Sequence, residues 1–157
     1  MKRFEGRVSI VTGASQGIGE MIARDLAAEG ATAVLVDVQK DKLDAVARGI
    51  VEAGGRADVY QADVADTAAV QKVVDAAVAA HGRLDHLVNN AGITRDGLLM
   101  RMREEDWDAV LRVNLKGVFN FSKAVIRTMI GAKYGRIVNI ASVVGLMGNA
   151  GQANYAA

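Results

Sequence analysis

Residues 12 to 19 read Thr12-Gly13-Ala14-Ser15-Gln16-Gly17-Ile18-Gly19, a Gly-x-x-x-Gly-x-Gly arrangement between the apolar run Val8-Ser9-Ile10-Val11 and a helix-like stretch that begins at Ile18. Glycine lets the backbone turn sharply and approach an anion closely, and the unpaired amides at a helix start favour negative charge. Such a loop suits a diphosphate. Glycine spacing alone would fit a structural turn equally well, so the acid about twenty residues further on carries weight. That acid is Asp37, which closes Val34-Leu35-Val36-Asp37. A carboxylate there accepts hydrogen bonds from both hydroxyls of an adenosine ribose and repels a 2′-phosphate. Gln16 and Val38 bring no cation, although Lys40 and Lys42 follow closely. The expectation is a dinucleotide site that prefers NAD(H), with NADP(H) possible as a second ligand; the alternative for Asp37 is a helix cap. Gly13, Ser15, Gln16, Gly17, Ile18, Gly19 and Asp37 are the residues expected to hold the dinucleotide.

Two further strand ends add to that site. Asp63 and Val64 could hold an adenine edge through a carboxylate and a backbone amide, although the pair alone is no better than an ordinary helix start. Asn89-Asn90-Ala91-Gly92 is sharper, because small residues at the carboxyl edge of a sheet leave room for a ligand to cross. Asn90, Ala91 and Gly92 are accordingly expected to touch the dinucleotide.

These segments need a frame to hold them. Short β-branched runs alternate with longer helical ones: Val8 to Val11 then Ile18 to Glu29, Thr32 to Val36 then Lys40 to Ala53, and Asp58 to Gln61 then Thr67 to Ala80. Leu84 to Val88 and Arg136 to Ile140 continue the series, separated by a long helical stretch from about Glu105 to Ile130. Ile18, Ile22, Ala23 and Leu26 share one helical face, as do Val70, Val73, Val74, Ala77 and Val78, so each helix has a stripe to lay on a sheet. Gly30, Gly54-Gly55 and Gly82 follow the helices, where left-handed C-terminal residues are favoured. The alternation predicts an α/β fold, a Rossmann-type doubly wound parallel sheet with helices on both faces. Residues 1–157 contain no linker-like tract and read as one dinucleotide-binding domain.

Composition narrows the function. The 19 basic and 18 acidic residues are interspersed and the net charge is +1, which argues against nucleic-acid or membrane-surface binding. Cysteine is absent, so disulfides, thiolate metal sites and a cysteine nucleophile are excluded. No apolar run reaches the roughly 18 to 20 residues of a membrane span. A cytoplasmic location and small-molecule chemistry are expected, with no metal site.

Thr12 to Gly19, Asn89 to Gly92, Asn114 in Val113-Asn114-Leu115, Ser142 in Ile140-Ala141-Ser142, and Tyr155 occur in the order and spacing of the short-chain dehydrogenase/reductases. The resemblance covers the whole chain. Asn90 to Met102 and Gly145 to Tyr155 look most like the 3-oxoacyl-[acyl-carrier-protein] reductases, many of which use NADPH; Asp37 departs from that pattern. The resemblance implies hydride transfer between a nicotinamide and a carbonyl of a 3-oxoacyl thioester on acyl carrier protein or CoA. It implies Tyr155 as acid or base, also beside the cofactor, Ser142 as hydrogen-bond donor to the carbonyl, and Asn114 as holder of a water relay. Reduction builds negative charge on oxygen, which a hydroxyl and a phenol can meet. Met147, between Ser142 and Tyr155, is a candidate substrate contact.

In that family a lysine four residues after the tyrosine assists it, a position two residues beyond Ala157. Members also continue for roughly another ninety residues. The chain is therefore expected to be a truncated reductase lacking the last part of the fold, inactive as 157 residues, with its fifth strand left as a sheet edge. The resemblance suggests a homotetramer for the complete protein. Two other readings stand beside this one: another alcohol dehydrogenase activity on the same scaffold, or a noncatalytic nucleotide-binding or dimerising fragment paired through the long helix. His81 is expected to complement the end of its helix, His86 to lie in a strand without metal-ligand partners, Trp107 to pack, and Leu98, Leu99, Met100 and Met102, which could line an acyl groove, to be packing or interface residues instead.

Overall fold

The computed structural model describes residues 2–157. Five strands, β1 (Val8–Thr12), β2 (Thr32–Asp37), β3 (Arg56–Gln61), β4 (His86–Asn89) and β5 (Arg136–Asn139), form one sheet in the order β3-β2-β1-β4-β5. Every pairing is parallel. The helices are α1 (Gly17–Ala28), α2 (Lys40–Glu52), α3 (Thr67–His81), α4 (Glu104–Leu111), α5 (Gly117–Gly131), and the one-turn α6 (Val144–Met147) and α7 (Ala153–Ala156). This is the Rossmann-type α/β architecture that the alternating pattern predicts.

Side chains on successive strand positions point to opposite faces, and the core divides accordingly. Ile10, Val34 and Val36 pack with Val70, Val74 and Phe121 on the face covered by α3 and α5. Val11, Ala33 and Leu35 pack with Ala23, Leu43, Val46 and Ile50 beneath α1 and α2. Asp66 caps α3 by accepting the Ala68 and Ala69 N–H groups, and Gly82 ends it in the left-handed region at φ 69°. β5 pairs with β4 alone and Val138 is half exposed, so this strand is an edge. No helix among the described residues is long and apolar enough to cross a membrane.

Three features differ from the sequence reading. The long stretch from Glu105 to Ile130 is not one uniform helix. Between α4 and α5 the backbone widens into a π segment, Arg112–Lys116, in which the Gly117 N–H bonds back to the Arg112 carbonyl. Such insertions re-aim the residues they carry, and Asn114 lies at its centre. His81 does not address its own helix end; its Nε2 lies 2.5 Å from Asp58 Oδ2 on β3, while Gly82 supplies the cap. Leu98, Leu99 and Met100 do not pack within the chain and are 56%, 68% and 86% exposed, whereas Trp107 is partly buried on α4.

Below the sheet, at the end opposite the glycine loop, Asp85 is 2% exposed and accepts bonds from Arg7 Nη1 (2.8 Å), Arg83 Nε (2.8 Å), Arg83 Nη2 (2.7 Å) and the Val8 N–H (2.9 Å). Burial pushes its pKa up, but the bonds from Arg83, Val8 and Arg7 outweigh this and hold it at about 2. Neighbouring His86 pairs through Nδ1 with Ser9 Oγ at 2.8 Å and through Nε2 with the Tyr134 hydroxyl at 3.3 Å. Its pKa is lowered, first by burial and then by Arg7, Arg136 and Arg83, against the opposing pull of Asp85.

The sign of the pH dependence follows. Both folded-state values lie below the unfolded ones, so each group contributes stability at neutral pH that is lost on acidification. The His86 contribution falls away as pH drops below about 6.5 and that of Asp85 as pH drops below about 4. Because Arg83 is partly in solvent, the Asp85 contribution is on the order of 1 to 2 kcal/mol. Urea melts at a series of pH values should show a two-stage decline, with His86→Gln removing the upper stage and Asp85→Asn the lower.

Candidate functional site

The strand order reverses between β1 and β4, and at that switch point the loops following the two strands separate to leave a crevice, the usual ligand position in open α/β sheets. Its first part is a cleft of about 430 Å³ lined by Gly13, Gln16, Gly17, Asp37, Val38, Asp63, Val64, Asn90, Ala91 and Gly92, among others. A second cleft, of about 630 Å³, is lined by Ile18, Asn114, Ser142, Gly145 and Tyr155 and also by Asn90, Ala91, Gly92 and Ile93. Asn90 to Ile93 therefore form a floor common to both.

The floor is tied to the glycine loop by β1 itself. Thr12 Oγ1 accepts the Asn90 and Ala91 N–H groups, both at 3.0 Å, and Asn90 Nδ2 donates to the Thr12 carbonyl at 3.0 Å and the Gly13 carbonyl at 3.2 Å. Gly13 and Gly17 both take positive φ, 66° and 59°. A Cβ on Gly13 would press on Ala91 Cα at 2.9 Å, whereas a Cβ on Gly17 would meet nothing within 4 Å and would project into the cleft. The loop thus keeps open space directly in front of the first turn of α1, which fits a diphosphate approaching backbone N–H groups.

Asp37 lies at the far rim. Its Oδ2 accepts the Ser15 N–H at 3.3 Å and its Oδ1 the Gln39 N–H at 3.1 Å. The carboxylate thus joins the glycine loop to the segment that leads into α2 and lines the cleft, while the N-cap position of α2 is Gln39. Lys40 is paired with Asp44 at 2.8 Å, but Lys42 Nζ reaches back across the rim to Gln16 Oε1 at 2.8 Å. Asp63 Oδ1 accepts the Ala65 N–H at 2.9 Å, a turn contact, whereas the helix start that was its alternative belongs to Asp66.

In the second cleft, Asn114 holds one residue with both ends of its carboxamide: Oδ1 accepts the Ile93 N–H at 2.8 Å and Nδ2 donates to the Ile93 carbonyl at 3.0 Å. Backbone hydrogen bonding around Asn114 is irregular in the π segment, so its backbone as well as its remaining side-chain N–H could hold a water. Ser142 Oγ accepts the Val144 N–H at 3.2 Å, which leaves its proton to be directed into the cleft.

Three of the expected residues stand apart. Ser15 is buried behind the loop, with Oγ taking a bond from Gln39 Nε2 at 3.4 Å, and lines neither cleft. Gly19 is likewise beneath the loop, not in the cleft wall. Met147 is 80% exposed and outside the lining; the single turn of α6 that begins after Ser142 carries it to the solvent side, and Gly145 occupies the wall instead. Conversely, the sequence reading passed over Ile93 and Asn154. An asparagine in a run of small residues beside Tyr155 was the only signal for the latter. Among the described residues no three histidine, aspartate or glutamate side chains converge on a metal position.

The sequence pattern of the short chain dehydrogenase family matches residues 7–157. The chain belongs to that family. Among curated short-chain dehydrogenase relatives, the 3-oxoacyl-[acyl-carrier-protein] reductase of Thermotoga maritima is 50% identical over 155 residues, 99% of this chain and 63% of that one. The corresponding reductase of Escherichia coli is 47% identical over 98% of this chain and 62% of its own length, and that of Synechocystis 49% identical over 100% and 64%. The chain therefore spans under two thirds of these relatives. A crystal structure described as a metagenomic short-chain oxidoreductase in complex with NADP superposes with a TM-score of 0.93 at 44% identity, over 97% of this chain and 69% of that one.

Proposed function

We propose that residues 1–157 form the nicotinamide-dinucleotide domain of a reductase that converts 3-oxoacyl thioesters, on acyl carrier protein or CoA, to 3-hydroxyacyl thioesters. The observation that carries this is the continuity of the two clefts over Asn90 to Ile93: a dinucleotide anchored at Gly13 to Ile18 would reach the cleft that holds Ser142 and Tyr155. Similarity to reductases named for 3-oxoacyl groups on acyl carrier protein supports the substrate class. When bound, the nicotinamide supplies the hydride.

The remaining work falls to this chain. The Gly13 to Gly17 backbone holds the diphosphate, Asp37 the ribose diol, and Asp63 with Val64 the adenine edge. Ser142 donates a hydrogen bond to the carbonyl oxygen, lowering the cost of charge developing there. Tyr155 gives its phenolic proton to that oxygen, and the Asn114 backbone holds a water for proton return. Met147 contacts substrate in this scheme only by moving inward from its exposed position. We assign the protein to the cytoplasm as a homo-oligomer, a tetramer when complete. An exposed stripe of Leu115 in the π segment and Phe119, Ile126 and Ile130 on α5, at helical spacing, supports self-pairing.

On cofactor choice, we read NAD(H) as the better ligand because Asp37 lines the ribose end of the cleft, with NADP(H) admitted through Lys42. Fluorescence titrations of NADH and NADPH should favour NADH by about tenfold, equivalent to ~1.4 kcal/mol. Lys42→Ala should weaken NADPH with NADH little changed, and Asp37→Ser should reverse the preference. Tighter NADPH binding by the unaltered chain would refute the NAD(H) assignment. Turnover of acetoacetyl-CoA with NADH or NADPH tests the reaction; cofactor binding without turnover by the complete protein would favour the noncatalytic reading.

A further inference from the structure

Asn154 immediately precedes Tyr155, borders the second cleft and is only 1% exposed. Its Nδ2 donates to the Arg95 carbonyl at 2.9 Å and the Asp106 carbonyl at 3.2 Å, and its Oδ1 accepts the Tyr155 N–H at 2.8 Å. One side chain thus ties three backbone groups from three segments: the loop after β4, the first turn of α4, and α7. Two more bonds run parallel to it: the Gly97 N–H to the Gly151 carbonyl at 2.8 Å, and Gln152 Nε2 to Asp96 Oδ1 at 3.1 Å.

At the other end of the same loop, Asn114 holds Ile93 by both its N–H and its carbonyl. The segment 93–97 is therefore pinned by two carboxamides, one from the π segment and one from α7. We propose that Asn154 is a positioning residue for Tyr155: together with Asn114 it makes the 93–97 segment a spacer that fixes where the phenol sits relative to Ser142 and Asn114. The residue type is specific. Two donors and one acceptor on a short side chain are what the three backbone groups require. Aspartate has the shape without the donors, serine has one donor, and leucine has none. A buried carbonyl left without a partner has no water to replace it, so the loop shifts instead.

The proposal rests on Tyr155 as the proton donor, and its test separates the two claims. The chain has three tyrosines, Tyr60, Tyr134 and Tyr155, so fluorotyrosine labelling yields three fluorine signals, with Tyr155 assigned by Tyr155→Phe. In Asn154→Ser the Tyr155 signal should shift or broaden while the other two stay in place. In protein that turns over acetoacetyl-CoA, kcat should fall by about tenfold or more with NADH affinity within about twofold, the split expected of misplacement rather than lost binding.

If the serine variant does not fold, Asn154→Asp is judged by the same criteria. A stationary Tyr155 signal with kcat within about twofold overturns the proposal, as does joint movement of all three signals and cofactor affinity in both variants. If Tyr155→Phe keeps its turnover, the proton-donor reading fails, while the fluorine signals still report whether Asn154 sets the ring position. Protein without turnover is decided by the fluorine signals alone.

Discussion

Replacing Tyr155 by phenylalanine in the complete protein is expected to lower kcat by two to four orders of magnitude, the range general acid catalysis supplies, while NADH affinity changes by less than about twofold. The substitution removes one oxygen and leaves the ring. Tyr155 lies on α7 in the wall of the second cleft, with Ser142 and Asn114 in the same wall, whereas the glycine loop and Asp37 line the first cleft. Loss should thus appear in the chemical step and not in cofactor binding. The predicted decrease corresponds to about 3 to 5 kcal/mol of barrier. Ser142→Ala, which removes a hydrogen-bond donor but no transferable proton, should cost about one to two orders of magnitude. Single-turnover stopped-flow at saturating NADH would measure both. Retention of more than about a tenth of the rate by Tyr155→Phe would move the proton-donor role to another group.

Gly19→Ala should cost both folding stability and cofactor affinity. Gly19 is in the first turn of α1 and its φ is ordinary, so the demand there is for space rather than for an unusual backbone conformation. A Cβ at this position would run into the Gly13 carbonyl group and lie 2.5 Å from Asn90 Nδ2. Neither neighbour can yield cheaply. The Gly13 oxygen and the Thr12 carbonyl share Asn90 Nδ2, and the same asparagine begins the floor of both clefts. Overpacking of this kind costs about 1 to 3 kcal/mol. Relief by lifting the loop would spread the amides aimed at the diphosphate, weakening NADH by about tenfold or more. Thermal melts and NADH titration should decline together; an unchanged melting temperature would mean that the loop absorbs the methyl group without moving Asn90.

Unlike these packing demands, the elements themselves could be read directly from residue order. β1 to β5 and α1 to α3 lie where apolar runs and helical stripes place them, because period and burial are properties of neighbouring residues. The glycine loop and the place of Asp37 at the end of β2 were legible for the same reason: a tight glycine turn and the last residue of an apolar run are local features. The roles of individual side chains depended on distance across the fold. Asn114 and Ile93 are 21 residues apart, and Asn154 and Arg95 are 59 apart. Periodicity carries no information about which carbonyl a carboxamide will find at such separations. His81 could equally have served its own helix until β3 brought Asp58 beside it.

Fold class, the glycine loop between β1 and α1 and the order of the family's motif residues were determined by the amino-acid sequence itself, since backbone sterics and side-chain periodicity act over a few residues. Tertiary structure alone decided that Ser15 lies behind its loop, that Met147 faces solvent, and that Asn114 and Asn154 pin the 93–97 segment. The β3-β2-β1-β4-β5 order brings β1 beside β4 across more than seventy residues. Only that juxtaposition gives each buried donor and acceptor its partner.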